Sequence, residues 1–287
     1  MLLLVLVLQN IFAAIYAIVN RKVAKNFRDL HWHQTAAVFI IMYACGLVYA
    51  LPQGNIDYTT SFDYLHLLVL NGFCFGIGTG VAYLAFRDQD AGVVNTNLMI
   101  RVPVAAMLAV ILLGQSLSPQ NLFGALLVIF GVFLASYISS EKASWRPKKS
   151  TIYALVAGAL MGIGIVSEKL TLTHIDINTF IVTSFPFEML FLVIFTIPSL
   201  KKWPQILDKS LIVPTISMGV IRFIGGFLFI WALANSMNTS LIAASSGLQA
   251  VFTVMLAALL IGETNNLFKK LIAAAIVCAG ILLMFFN

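Results

Sequence analysis

Charge is what this chain has least of: 10% of its 287 residues are Asp, Glu, Lys or Arg. A soluble globular domain carries about 25%. At this length such a sequence cannot coat a water-facing surface. That excludes a soluble enzyme or a nucleic-acid-binding domain, although the net charge is +6 and the pI about 9.3. Cysteine is scarce too. Cys45, Cys74 and Cys278 sit inside apolar runs, form no disulfide framework and read as small buried apolar residues. No Lys or Arg precedes the first apolar run and no small-residue cleavage site follows it, so that run is expected to stay as a helix rather than leave as a signal peptide. What fills the chain instead is hydrocarbon: 61% of residues are hydrophobic and the mean hydropathy is +0.98.

A membrane-spanning helix takes about 20 mostly apolar residues. Runs of that kind fall at 2–20, 33–51, 64–86, 91–113, 120–139, 151–170, 177–198, 211–234, 239–261 and 267–286. The expectation is an all-α integral membrane protein of ten transmembrane helices, multi-pass in the cell membrane. None of the linkers can fold alone; the longest polar ones are Arg21–Trp32, Pro52–Asp63 and Ser139–Ser150. Trp32, Trp145 and Trp203 lie in or beside linkers, where an amphipathic ring suits the membrane–water boundary.

The cations are unevenly placed. Fourteen of the seventeen lie in the odd-numbered linkers, the even-numbered linkers hold only Lys169, and Arg101 and Arg222 lie inside spans. Positive linkers stay in the cytoplasm, which puts both termini outside it.

A shift of 148 residues aligns the chain with itself. Met107-Leu108-Ala109 falls on Met255-Leu256-Ala257, Gly114 on Gly262, Phe75 on Phe223 and Gly78 on Gly226, and one extra residue then brings Gly131 onto Gly280. The chain divides into five-helix halves at 1–140 and 149–287. Five spans per half is odd, so the second half enters the membrane in the opposite sense. Two inverted five-helix repeats are the architecture of secondary transporters, with the solute site near the midplane between them.

Each half closes with a small-residue-rich helix, then Leu-Gly-Gln (113–115) or Ile-Gly-Glu (261–263), a short turn, and a last helix with a late glycine. That pattern resembles the EamA-type members of the drug/metabolite transporter superfamily, most closely at Gly262-Glu263 and the Ala-rich stretch that ends near Gly280. The resemblance spans essentially the whole chain and implies carriage of small metabolites or drugs across a membrane, often outward. Two departures stand out. Such transporters are drawn with both termini in the cytoplasm, against the linker charges here. The small four-helix relatives place a coupling Glu in their first span, where this chain has Gln9 and Asn10.

Polar groups inside spans carry the functional expectation, because a charge at mid-bilayer is costly and persists where it faces a bundle interior or a watery cavity. Arg101, Glu188 and Arg222 lie near span centres. Glu168 and Lys169 lie near the end of a span and read as snorkelling residues that reach the interface. Asn97 and Arg101 are spaced for one helix face, and the 148-residue shift lays them on Ser245 and Gln249, a polar face in each half at matching depth. The competing role for Arg101 is a tie to Glu188. Gln9, Ala13, Tyr16 and Asn20 form one stripe on the first span, either a cavity wall or an interhelical hydrogen-bonding face. Pro103 and Pro186 stand two residues from Arg101 and Glu188, where each frees a backbone carbonyl for a cavity or marks a packing kink. Gly72, Gly76 and Gly80, and Gly158 and Gly162, read as close-packing ridges. Gly76-Ile-Gly-Thr-Gly80 follows no strand and is no dinucleotide loop, and His31-Trp-His33 reads as boundary residues rather than a metal clip.

The candidate substrate-binding set is therefore Arg101, Asn97, Glu188, Arg222, Gln249, Ser245, Gln9 and Tyr16, with no catalytic, cofactor or metal residues. No acid–base–nucleophile set with recognisable spacing appears, so the chain is read as no enzyme. The leading function is a transporter, exporter or facilitator, of small polar metabolites such as amino acids or other zwitterionic or anionic solutes, since Arg101 and Arg222 against Glu188 sum to +1. The alternative is a proton-coupled exporter of cationic drugs or metabolites that uses Glu188. An intramembrane enzyme or receptor-like binder is the reading from another class. The expected partners are a small-molecule substrate and the lipid bilayer, with no nucleic acid, in a monomer or weak homodimer.

Overall fold

A computed structural model describes residues 2–54, 56–114, 118–138, 148–235 and 239–284, with backbone alone at 113 and 239–246. Helices make up nearly all of them, and there is no strand among the described residues. In chain order these are α1 (Leu2–Asn26), α2 (His31–Ala50), α3 (Tyr58–Asp63), α4 (Leu65–Asp88), α5 (Ala91–Leu98), α6 (Arg101–Leu113) and α7 (Pro119–Ile138). There follow α8 (Lys149–Thr171), α9 (Ile177–Thr196), α10 (Trp203–Ile206), α11 (Lys209–Asn235), α12 (Thr239–Ile261) and α13 (Leu267–Leu283). Eight helical segments among the described residues are long and apolar enough to cross a membrane. The fully described part of the 23-residue α12, Gly247–Ile261, is also apolar, and α13 has 17 residues.

Local chemistry sets the helix ends. Asp176 opens α9 by accepting from the N–H groups of Asn178 (2.8 Å) and Thr179 (3.1 Å), which otherwise have no partner in a first turn. Gly114 and Gly262 close α6 and α12 at φ +64° and +69°, a left-handed turn that a Cβ resists. They are the positions that the 148-residue shift superposes.

The 91–113 run is not one helix. It breaks at Met99–Ile100 because Pro103 lacks an N–H for the Met99 carbonyl, and its ring crowds that carbonyl. The backbone tightens instead into three-residue bonds: Met99 N–H to Thr96 O, Ile100 N–H to Asn97 O, and Val102 N–H to Met99 O. Asn97 and Arg101 therefore lie on opposite sides of a break and do not share the helix face that their spacing suggested.

Contacts recur in matched pairs. α4 packs against α8 and α11 against α1; α4 against α9 and α11 against α2. α7 lies along α13, where Gly124 and Gly280 meet so closely that an added Cβ on either would sit 2.5 or 2.7 Å from the other's carbonyl oxygen. Exchanging the two halves turns each such pair into the other.

The linkers gather at two ends. At one, Arg28 pairs with Asp88 (3.6 Å), Lys202 donates to the Asp29 carbonyl (3.2 Å), the His33 ring meets the Ser199 carbonyl (2.9 Å), and Arg21 pairs with Glu263 (2.9 Å). At the other, Tyr64 stacks on His174, and the Asp57 N–H donates to Thr179 (3.1 Å).

Candidate solute cavity

Eight segments, α1, α2, α4, α5, α6, α8, α9 and α11, together with Gln249 of α12, surround a cavity of about 150 Å³. Its apolar wall includes Phe12, Phe75, Phe185 and Phe229, and a few polar groups converge on it. That is the make-up of a small-molecule site, at a volume well below the roughly 300–1,000 Å³ of drug-sized pockets.

The glycine ridges place the two midplane charges. A Cβ on Gly76 would stand 2.6 Å from the Glu188 carbonyl oxygen, and one on Gly72 would stand 2.8 Å from the Glu188 nitrogen, so α4 and α9 touch backbone to backbone at this residue. On α8, Gly158 and Gly162 do the same at the α5–α6 break: their added Cβ atoms would lie 2.8 Å from Leu98 O and 2.7 Å from Arg101 O. Each proline-marked charge is thus seated on a pair of glycines from a neighbouring helix.

Arg101 donates from Nη2 to Gln249 Oε1 at 2.7 Å, while its buried Nε has no partner among the described residues. The two residues are 148 apart, so repeat mates from the two halves meet directly. Gln249 also donates to Asn95 Oδ1 (3.2 Å), and Asn95 donates to Thr253, which fixes the amide's orientation. Arg222 is held by Thr79 Oγ1 (3.0 Å) and lies over the rings of Phe39 (4.5 Å to the centroid) and Tyr16 (5.3 Å), a cation–π seat. Its Nε is likewise buried without a partner. Glu188 has no ion-pair or hydrogen-bond partner for its carboxylate among the described residues, so the Arg101–Glu188 tie that competed with a cavity role is not formed.

Of the eight expected residues, Gln9, Tyr16, Arg101, Glu188, Arg222 and Gln249 line the cavity. Asn97 does not: its Oδ1 accepts from Ser136 on α7 (3.0 Å), because the break turns it outward. The side chain of Ser245 lies outside the described residues. Four further polar residues line the wall: Asn20, Thr79, Asn95 and Glu168. Glu168 is 4% exposed, and its carboxylate has no partner among the described residues. This overturns its reading as a snorkelling residue. Its neighbour Lys169 instead reaches the Leu233 carbonyl (2.9 Å). With Glu168 included, two arginines face two carboxylates, and with all four ionised the formal charge sums to zero, not +1. The signal in sequence was the 148-residue shift, which lays Glu168 on Asn20, a stripe residue of the first span.

A helical membrane bundle with a buried, charge-bearing cavity of metabolite size defines a solute carrier in class. The chain belongs to the EamA-like transporter family, whose model matches twice, over residues 1–137 and 148–286. It is therefore a multi-pass membrane transporter of small solutes, of a family that is not enzymatic. A solved structure described only as the crystal structure of a protein superposes at a TM-score of 0.69, covering 99% of this chain and 96% of its own, at 14% identity. That likeness speaks for the fold alone.

Proposed function

We propose that the chain carries small zwitterionic solutes, amino acids in the first place, by alternating access through the cavity between two inverted five-helix repeats. The observation that supports this most is the balance of charge: Arg101 and Arg222 share one cavity with Glu168 and Glu188, and none of the four is paired with another. An α-carboxylate offered to Arg101 and an ammonium offered to the acids would satisfy groups that otherwise stay desolvated at a cost. The contact pairs that exchange between halves, and the meeting of Arg101 with its repeat mate Gln249, support a two-fold axis through this cavity. Ten spans follow if α5 and α6 count as one and α12 and the 17-residue α13 also cross.

The cation-rich end of the bundle faces the cytoplasm in this reading, which leaves both termini outside. The second reading, a proton-coupled exporter of cations, draws on the partnerless carboxylates of Glu188 and Glu168. Counterflow in proteoliposomes separates the two. Exchange of a labelled zwitterionic amino acid, indifferent to an imposed pH gradient, supports the first; uphill flux of a cation driven by protons supports the second.

A further inference from the structure

Arg21 stands at the centre of an ion cluster that the cavity does not use. Its Nη1 donates to the carbonyls of Phe86 (2.7 Å) and Arg87 (3.0 Å) at the end of α4, its Nε donates to Glu263 Oε1 (2.9 Å), and its Nη2 lies 3.7 Å from Asp90 Oδ1. Glu263 spends its second oxygen on the Ala91 N–H (2.8 Å), the first free donor of α5. Asp90 accepts from Lys270 Nζ of α13 at 2.5 Å. Four chain segments are thereby tied together: α1, the α4–α5 turn, the α12–α13 turn and α13. Three of its members are mostly out of water, with Arg21 and Glu263 side chains 12% exposed and Lys270 6%, while Asp90 is 35% exposed. It also abuts the cavity wall, since Asn20 and Phe86 both line it.

The other half repeats the plan with different chemistry. The mate of Arg21 is Lys169, and it too donates to a carbonyl, Leu233, near the end of the helix that matches α4. The sequence mates of Glu263 and Asp90 are Gln115 and Asn238, amides in place of carboxylates; both lie outside the described residues. So the carboxylates belong to one half only.

We propose that Arg21, Glu263, Asp90 and Lys270 form a charged latch that holds the Arg21 end of the cavity shut and sets that closed form as the resting state. This rests on the alternating-access reading above. Its logic is the stranding of charge. With the carboxylates present, both cations, themselves mostly buried, are matched in charge. With amides there, as the other half carries in its sequence, Lys270 and Arg21 keep neutral acceptors but lose the negative charges that balance them. A buried charge whose partner is removed is strongly disfavoured, so the form that lets water reach the cations gains.

The test is a thiol-accessibility measurement that needs no solute. Cys45, Cys74 and Cys278 are replaced by Ala, and Ala17, a cavity-lining residue one turn from Arg21, by Cys. A membrane-impermeant maleimide is applied to oriented vesicles from each face in turn. The parent labels slowly from the Arg21 face, and Asp90→Asn with Glu263→Gln labels at least about tenfold faster from that face. Unchanged labelling in a variant that elutes as a folded protein overturns the latch, and so does a lower melting temperature with unchanged labelling. If the double variant does not fold, Asp90→Asn alone, which leaves Glu263 on Arg21 and Ala91, decides by the same readout. Faster labelling in a chain that moves no solute in liposomes removes the transport reading and keeps the latch.

Discussion

Arg101→Gln separates a solute-binding arginine from a structural one. Among the described residues the native side chain makes one hydrogen bond, to Gln249 Oε1 at 2.7 Å, and leaves a buried Nε without a partner. Losing a hydrogen bond to a charged group costs about 1.5–3 kcal/mol. The same substitution removes a desolvated, partnerless part of a guanidinium, which offsets much of that cost. Gln249 keeps its bond to Asn95. The solute-free protein should therefore melt in detergent within a few degrees of the parent, in either direction. Binding is another matter. Truncating one partner of a buried, hydrogen-bonded charge pair costs about 2–5 kcal/mol, and the lower figure is about 30-fold in affinity. The assay is counterflow of a labelled amino acid in proteoliposomes, read as apparent KM, beside a melting curve without solute. A KM that rises at least 30-fold with an unchanged melting curve is the expected result. An unchanged KM with a melting point lowered by several degrees would refute the reasoning and make Arg101 a tie between α6 and α12.

Glu168→Gln should raise the apparent KM for a zwitterionic amino acid at least about tenfold while it stabilises the solute-free fold, because it removes a buried partnerless charge; a KM unchanged within error would return Glu168 to a structural role. Gly76→Ala should destabilise by about 1–3 kcal/mol, since its Cβ would sit 2.6 Å from the Glu188 carbonyl, whereas Gly226→Ala, with nothing within 4 Å, should be stability-neutral or gain; similar melting points for both would contradict the ridge argument. A C-terminal reporter that fluoresces only in the cytoplasm should stay dark, as the linker charges require, and bright cells would reverse the orientation.

The sequence declared the bundle because apolar runs of spanning length and a positional charge bias are one-dimensional signals. It declared the glycine pairs as packing ridges, but not what they pack on; that each pair meets the backbone at Glu188 or Arg101 depends on how the helices cross. Periodicity failed at Asn97, where an uninterrupted helix was assumed and Pro103 tightens the chain between Asn97 and Arg101 into a turn. It failed again at Glu168. Proximity to a helix end suggests snorkelling, yet α8 ends beside α4 and α6, and the carboxylate points into the cavity while Lys169 takes the outward carbonyl. The latch combines residues up to 242 positions apart, Arg21 with Glu263, and only the fold brings them together. The mates of that latch, by contrast, were readable from the same 148-residue shift that exposed the repeat.

The most direct test of the central claim is a counterflow panel in proteoliposomes, with zwitterionic amino acids, dicarboxylates and a lipophilic cation run side by side on the parent and on Arg101→Gln. The account predicts saturable exchange for at least one zwitterion, weaker exchange for the dicarboxylates, none for the cation, and loss of the zwitterion's exchange in the variant. Exchange of the lipophilic cation alone, undiminished in Arg101→Gln, would contradict it.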